Sequence, residues 1–271
     1  MTATRARISF RNVSVHFPKH GGGHMEVVDD VSYDIHDREF VSVIGPSGCG
    51  KTTMMNMVAG FMRPSSGSVT LDGKPITGSG PDRGVIFQEY GVFPWLTVKD
   101  NIAFGLGLRA NRTSAAERDA ICERYMRLMG LADFAHAWPR MLSGGMRQRL
   151  ALARAYAVKP QFLLMDEPFG ALDAQTRSAM QDLLLEVLAA EGKTVMLITH
   201  SVEEAVYLSN RIIVMTARPT RIREIIEVPF ADPRTGALHE SPKFGQLRAH
   251  VRDLVMQEYA QQARLRQPEP V

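Results

Sequence analysis

The stretch from Phe40 to Gly60 constrains the fold more than any other part of this 271-residue chain. An apolar run, Phe40–Ile44, stops at a glycine, and the glycine-rich loop Gly45–Thr53 leads into residues typical of a helix. The loop fits the pattern G-x-x-x-x-G-K-[ST], in which backbone N–H groups and the start of a helix surround an anion. Strand, loop and helix together predict a binding site for the phosphates of a nucleoside triphosphate.

Two side chains in this loop have the chemistry that such a ligand needs. Lys51 supplies a mobile positive charge for the β- and γ-phosphates, and the Thr52 hydroxyl is a suitable oxygen ligand for Mg²⁺. A chance match in an unrelated glycine-rich turn is the alternative, and the flanking strand and helix argue against it. The residues predicted to contact the nucleotide are Gly45, Pro46, Ser47, Gly48, Cys49, Gly50, Lys51, Thr52 and Thr53.

Composition places the chain among ordinary soluble globular proteins, with 45% apolar and 23% charged residues. A net charge of +3 gives no strong nucleic-acid footprint, although charge alone does not exclude such a partner. Two cysteines, Cys49 and Cys122, are too few for a disulfide framework and predict free thiols in a reducing compartment. We expect no secretory signal, and no run of 18 apolar residues predicts a membrane span.

Strands that alternate with helices predict a mainly parallel sheet with helices on its faces. Short alternating strands before and after the phosphate loop predict an antiparallel flank, and a helical subdomain over about residues 89–150 interrupts the core. The main domain is predicted to cover residues 1–230. A C-terminal extension, residues 231–271, would carry one amphipathic helix and a disordered end. That helix is predicted to be a dimer contact, a regulatory element or simple packing, and the sequence does not choose among these.

Two further stretches add chemistry to the phosphate loop. The apolar strand Phe162–Met165 ends in Asp166 and Glu167, where parallel strands present their carboxyl ends to a ligand. Asp166 would reach Mg²⁺, and Glu167 would orient or deprotonate a water, although two acids after a strand equally suit a helix N-cap. The stretch Ser143–Gly145 precedes a helix and predicts a second anion-binding helix N-terminus.

Residues 142–149, Leu-Ser-Gly-Gly-Met-Arg-Gln-Arg, resemble the signature of the ATP-binding cassette family. The resemblance covers about residues 6–230 and implies a P-loop NTPase core of the RecA-like α/β class, with ATP and Mg²⁺ as cofactors. It implies catalytic roles for Lys51, Gln88, Glu167 and His200. The metal ligands that it implies are Thr52, Gln88 and Asp166.

The same resemblance extends the nucleotide site beyond the phosphate loop. It implies that Phe17 stacks on adenine, although Phe17 also suits the core of a strand. It implies that Ser143, Gly144 and Gly145 of one chain contact the γ-phosphate held by a partner chain. Asp173 and its two preceding residues resemble the family's D-loop, which contacts the other subunit.

Family members pair head to tail, which implies a dimer of cassettes with each ATP between two chains. Residues 88–105, 165–173 and 215–219 resemble the nitrate, sulfonate and taurine importer subgroup. Its cassettes work with a separate transmembrane permease and a periplasmic or lipid-anchored solute-binding protein. This implies a peripheral position on the cytoplasmic face of the inner membrane, with no nucleic-acid partner. The alternative is a non-transport cassette ATPase that acts on another macromolecule.

A cluster of apolar side chains follows Gln88 and is either a groove for a permease helix or ordinary core. Its members are Tyr90, Val92, Phe93, Trp95 and Leu96.

Overall fold

The computed structural model describes residues 5–19, 21–88, 91–108, 111 and 113–266. The strands in chain order are β1 (Ala6–Pro18), β2 (His24–His36), β3 (Phe40–Ile44), β4 (Ser66–Leu71), β5 (Lys74–Pro75), β6 (Arg83–Ile86), β7 (Phe162–Asp166), β8 (Thr194–Ile198), β9 (Arg211–Met215) and β10 (Ile222–Glu227). The α-helices are α1 (Lys51–Ala59), α2 (Val98–Leu106), α3 (Ala115–Leu128), α4 (Gly144–Ala157), α5 (Ala174–Glu191), α6 (Val202–Leu208) and α7 (Pro242–Arg266).

The chain divides into two compact units. The first contains residues 1–79 and 189–271, and the second contains residues 80–188. The predicted helical subdomain, residues 89–150, falls within the second unit, except that its first two residues lie outside the described ones. The predicted domain boundary at residue 230 stays a prediction.

An antiparallel sheet in the first unit has the strand order β2-β1-β4-β5. Alternation along β1 buries Ile8, Phe10 and Val13 completely, as a half-buried strand requires. Phe10 stacks on Tyr33 of β2 with ring centroids 4.4 Å apart. This sheet is the predicted antiparallel flank.

The first unit also contains the neighbouring strands β10, β9, β3 and β8 in that order. β3 pairs in parallel with both β8 and β9, and all five of its residues are buried. A strand covered on both faces has this continuous apolar sequence. β10 adds an antiparallel edge to β9 and was not predicted from the sequence.

The amphipathic helix expected in the C-terminal extension is α7, which packs on α6 and β9. Its apolar face buries Phe244, Val251, Leu254 and Val255, while Leu247 is half-buried. These are the positions that helical periodicity predicts. The predicted disordered end, residues 267–271, lies outside the described residues.

In the second unit β6 and β7 pair in parallel, and α4 contacts α2 and α3. Side-chain caps fix where these helices begin. Thr97 accepts a hydrogen bond from the Asp100 N–H at 3.2 Å, and Ser114 with Glu117 forms a complete capping box before α3. Among the helices of the described ranges, none has the length and apolar character that crossing a membrane requires.

Candidate active site

The phosphate loop joins β3 to α1 in the first unit. Lys51, the first residue of α1, is 6% exposed, and its ammonium donates hydrogen bonds to the carbonyl oxygens of Gly45 at 2.8 Å and Pro46 at 3.0 Å. Gly50 has a φ of 129°, a left-handed value that favours glycine. A Cβ atom on Gly45 would lie 2.8 Å from the Met215 carbonyl oxygen, so this turn also requires glycine. The loop thus ends in a helix N-terminus that carries a buried positive charge.

Strand register brings His200 to the same edge as the phosphate loop. Val43 of β3 pairs with Ile198 of β8, so Gly45 and His200 each stand two residues beyond a matched pair. His200 is exposed. Beside it, the Thr199 hydroxyl donates to the buried Glu204 carboxylate at 2.6 Å, which fixes the chain where it leaves β8.

Phe17 lies near the end of β1, opposite Met25 of β2. Its side chain is 38% exposed. It is therefore not a core residue of the strand, and its role in stacking on adenine stays a prediction.

In the second unit, the ends of β6 and β7 bring together Gln88, Asp166 and Glu167. Ile86 pairs with Met165, so Gln88 and Glu167 each stand two residues beyond that pair. Asp166 and Glu167 are half-buried, and Gln88 is exposed. The arrangement matches the expectation that carboxyl ends of parallel strands collect polar side chains.

The two acids do not cap a following helix, which removes the alternative interpretation of this pair. Glu167 has a φ of 46°, and the next helix, α5, begins only at Ala174. The N-terminus of α5 is bound instead by Asp173, whose Oδ1 accepts from the Thr176 N–H at 2.9 Å. Hydrogen bonds from the backbone and side chain of Thr176 lower the pKa of Asp173. A non-glycine residue in the left-handed region, such as Glu167, is uncommon and often functional.

The stretch Ser143–Gly145 opens α4, as predicted. Ser143 is the N-cap, and its hydroxyl accepts from the Met146 N–H at 3.2 Å. A Cβ atom on Gly145 would lie 2.6 Å from Thr176 Cγ2. Glycine is therefore required where the start of α4 meets the start of α5.

The other end of α4 contacts residues 91–96, which we call the aromatic segment. The Arg154 guanidinium lies 3.9 Å above the Phe93 ring and donates to the Gly91 carbonyl oxygen. Phe93 also stacks on Trp95, with ring centroids 5.3 Å apart, and meets Phe104 edge to face at 4.5 Å.

Three contacts to the phosphate loop were missed by the sequence analysis. The side chains of Arg218, Thr220 and Gln262 donate to the carbonyl oxygens of three loop residues, all in the first unit. Arg218 and Thr220 follow β9, and Gln262 lies on α7. The one available signal was the Arg218–Pro219 pair after an apolar strand, and nothing in the local sequence marks Gln262.

Residues 28–170, just over half of the chain, match the family described as ABC transporter. The chain belongs to this family, and the resemblance identified from the sequence is confirmed. It is an ATP-binding cassette ATPase.

The relatives include proteins of several bacteria. A putative ATP-binding protein of Brucella abortus is 53% identical over 91% of this chain and 92% of its own length. The taurine import ATP-binding protein TauB of Roseobacter denitrificans is 44% identical over 92% and 93%. The nitrate import ATP-binding protein NrtD of Synechococcus elongatus is 41% identical over 96% and 95%.

Solved structures show the same fold. A dimeric ATP-binding cassette bound to ADP and phosphate in a post-hydrolysis state has a TM-score of 0.71 and 30% identity, covering 83% of this chain and all of that one. A dimeric bacterial ABC transporter cassette has a TM-score of 0.72 and 31% identity over the same share of this chain. The predicted fold class, a P-loop NTPase core with mainly parallel strands, is confirmed.

Proposed function

We propose that this chain is the ATP-hydrolysing subunit of an importer for a small anionic solute of the nitrate, sulfonate or taurine type. The observation that carries this proposal is the 41–44% identity with nitrate and taurine import ATP-binding proteins over more than nine-tenths of the chain. Two chains would pair, as in the dimeric cassettes of known structure, and the family resemblance implies that they would do so head to tail. A separate permease would carry the solute across the membrane.

Within the first unit, the phosphate loop would bind the triphosphate through its N–H groups and Lys51. The α1 N-terminus adds a partial positive charge at the same place, which favours an anion. His200, at the same edge, would contact the γ-phosphate. Phe17, exposed at the end of β1, would supply the stacking surface for adenine.

Within the second unit, Glu167 would act as general base toward the attacking water. It stands at the end of β7, half-buried, directly after Asp166. Ser143 and the glycines that follow it would contact the γ-phosphate bound by the partner chain. ATP then stabilises the closed pair, and loss of the γ-phosphate weakens it, because the ligand binds the two states differently.

Mg²⁺ is the metal that the donor chemistry fits. The proposed ligands, Thr52, Gln88 and Asp166, offer hydroxyl, amide and carboxylate oxygens, the hard donors that Mg²⁺ prefers. When bound, the ion would neutralise charge on the β- and γ-phosphates. Thr52 is exposed at the start of α1, and Asp166 is half-buried at the end of β7.

The aromatic segment after Gln88 is the proposed contact for the permease. Trp95 is 66% exposed, Phe104 is 43% exposed, and Val92, Phe93 and Leu96 are half-buried. Clustered exposed aromatic side chains are typical of protein interfaces. Tyr90, which was grouped with them, lies outside the described residues. The contact would hold the subunit on the cytoplasmic face of the inner membrane, with a solute-binding protein on the other side.

Recovery of the tagged chain from detergent-solubilised native membranes tests the proposal, with partners identified by mass. We expect a multi-span permease to be recovered. Trp95→Ser should reduce that recovery, whereas Met256→Ser, which changes a side chain that is 60% exposed elsewhere, should not. Recovery of ribosomes, of DNA or of this chain alone would contradict the importer role and leave the ATPase assignment unchanged.

A further inference from the structure

Three consecutive carbonyl oxygens of the phosphate loop are held by side chains from the C-terminal part of the first unit. The Ser47 oxygen accepts from Gln262 Nε2 at 3.1 Å. The Gly48 oxygen accepts from Arg218 Nε at 2.5 Å. The Cys49 oxygen accepts from the hydroxyl of Thr220, which is fully buried. These loop carbonyls are therefore bound by side chains from two different parts of the chain, the segment after β9 and helix α7.

A buried carboxylate connects these two elements. Glu258 of α7 is 2% exposed, and its Oε2 accepts from the Ala217 N–H at 3.0 Å. Its other oxygen lies 3.7 Å from Arg223 Nε. Glu258 precedes Gln262 by one helical turn, so both side chains leave the same face of α7. This face thus fixes both the 217–220 loop and the phosphate loop.

The geometry of a peptide bond gives these contacts a consequence for phosphate binding. In a trans peptide the C=O of one residue and the N–H of the next point in opposite directions. The hydrogen bonds to the Ser47 and Cys49 carbonyls therefore fix the directions of the Gly48 and Gly50 N–H groups, which point away from those carbonyls. The hydrogen bond to the Gly48 carbonyl fixes the Cys49 N–H, which donates to the Pro46 carbonyl oxygen at 3.2 Å and closes the turn of the loop. Anions bind where backbone N–H groups converge.

We propose that Gln262 and Arg218 are positioning residues that pre-orient the phosphate loop for nucleotide, and that α7 sets nucleotide affinity through them. The proposal rests on the proposed function of the loop and identifies a regulatory role for the C-terminal helix. Because linked equilibria are coupled reciprocally, the two effects are equal in free energy. Bound nucleotide would stabilise the contact between α7 and the phosphate loop as much as that contact favours nucleotide binding.

Nucleotide affinity of single variants tests this role, with Gln261→Ala as the matched control. Gln261 is the exposed neighbour of Gln262 on the same helix. Loss of a hydrogen bond of this kind changes an equilibrium about 3- to 10-fold. We expect Gln262→Ala and Arg218→Ala to raise the Kd for a fluorescent ATP analogue by that factor. They should raise the KM for ATP by the same factor and leave kcat within about twofold of the wild-type value.

Two conservative variants separate positioning from folding. Gln262→Glu keeps the size of the side chain but removes the donor, so it should bind nucleotide at least as weakly as Gln262→Ala. Arg218→Lys keeps a cationic donor and should recover part of the affinity. The melting temperature of the nucleotide-free protein should stay within a degree or two of that of Gln261→Ala.

Two results would overturn the inference. The first is wild-type affinity in Gln262→Glu and Arg218→Ala while Lys51→Ala raises the Kd at least about tenfold, which leaves the proposed function intact. The second is a melting temperature of the nucleotide-free variants well below that of Gln261→Ala. This would show that the contacts stabilise the fold as ordinary packing does. Unchanged affinity in Lys51→Ala as well would instead contradict the proposed nucleotide site itself.

Discussion

The Lys51 ammonium lies 2.8 Å from the carbonyl oxygen of Gly45, the first residue after β3. This contact holds a positive charge, 6% exposed, within the loop at the N-terminus of α1. Removal of the charge should weaken ATP binding strongly, since buried charges interact with phosphate more than exposed ones do. We expect Lys51→Ala to raise the Kd for ATP at least about tenfold, measured by equilibrium titration at fixed salt.

Lys99→Ala is the control for this prediction. Lys99 lies on α2, where its ammonium pairs with Asp119 at 2.8 Å. Its loss should leave nucleotide affinity within about twofold of wild type, because surface pairs contribute little. Equal effects of the two lysine variants would show that Lys51 acts only through net charge.

Glu167→Gln should separate ATP binding from hydrolysis. The amide keeps the size of the side chain but cannot accept a proton, and general-base catalysis typically contributes about 10²–10⁴-fold. Phosphate release should fall by that factor, while ATP binding persists and the ATP-bound dimer lives longer on size-exclusion chromatography. Glu186→Gln, at an exposed position of α5, should hydrolyse ATP normally. Wild-type turnover in Glu167→Gln would disprove the assigned role.

Gly145→Ala should disturb the start of α4, and a second substitution should repair it. The new methyl group would lie 2.6 Å from Thr176 Cγ2, so α4 or α5 must shift. Overpacking of this kind costs about 1–3 kcal/mol of unfolding free energy. Thr176→Ser removes that methyl and keeps the hydroxyl, so the double variant should recover most of the stability and ATPase activity.

Chemical denaturation of all four proteins, wild type included, measures this coupling. The two sites should be non-additive by about 0.5–3 kcal/mol, as expected for side chains in contact. Additive effects would show that the unfolding free energy lost in Gly145→Ala does not come from contact with Thr176.

Cys49 makes the stability of the first unit depend on alkaline pH. Burial raises the pKa of this thiol in the folded protein. Above about pH 8.5 the unfolded chain loses the thiol proton while the folded chain retains it, so the free energy of unfolding falls as pH rises. The limiting slope is about 1.4 kcal/mol per pH unit for one group.

Cys49→Ala should remove this part of the pH dependence. Denaturant titrations between pH 7.5 and 9.5 compare the two proteins, and an unchanged slope in Cys49→Ala would contradict the prediction. Because the side chain is fully buried, alkylating reagents should label it only after unfolding.

The parts of the fold that were predicted correctly are those with local signals. The helix start at Ser143–Gly145 was one of these, because the Ser143 hydroxyl caps a backbone N–H only three residues away. The buried strands β3 and β7 were predicted from their continuous apolar runs, Phe40–Ile44 and Phe162–Met165.

Features that depend on distant neighbours were missed. β10 mixes Ile222 and Ile226 with charged residues, because one edge and one face of it lack the cover that β3 has. The contact between Gln262 and Ser47 joins residues 215 positions apart. No local pattern indicates such a pair, since only the folded arrangement of α7 brings the two together.

Helix α4 connects the aromatic segment to the stretch Ser143–Gly145. Arg154 is fixed to Phe93 and Gly91 at one end, and Ser143 and Gly145 begin the helix at the other. At about 1.5 Å per residue, these points are roughly 16 Å apart along an uninterrupted helix. After its first turn α4 contains no glycine or proline, the usual causes of kinks. An uninterrupted helix of this kind bends little, so we expect a displacement of the aromatic segment to shift the Ser143 end as well.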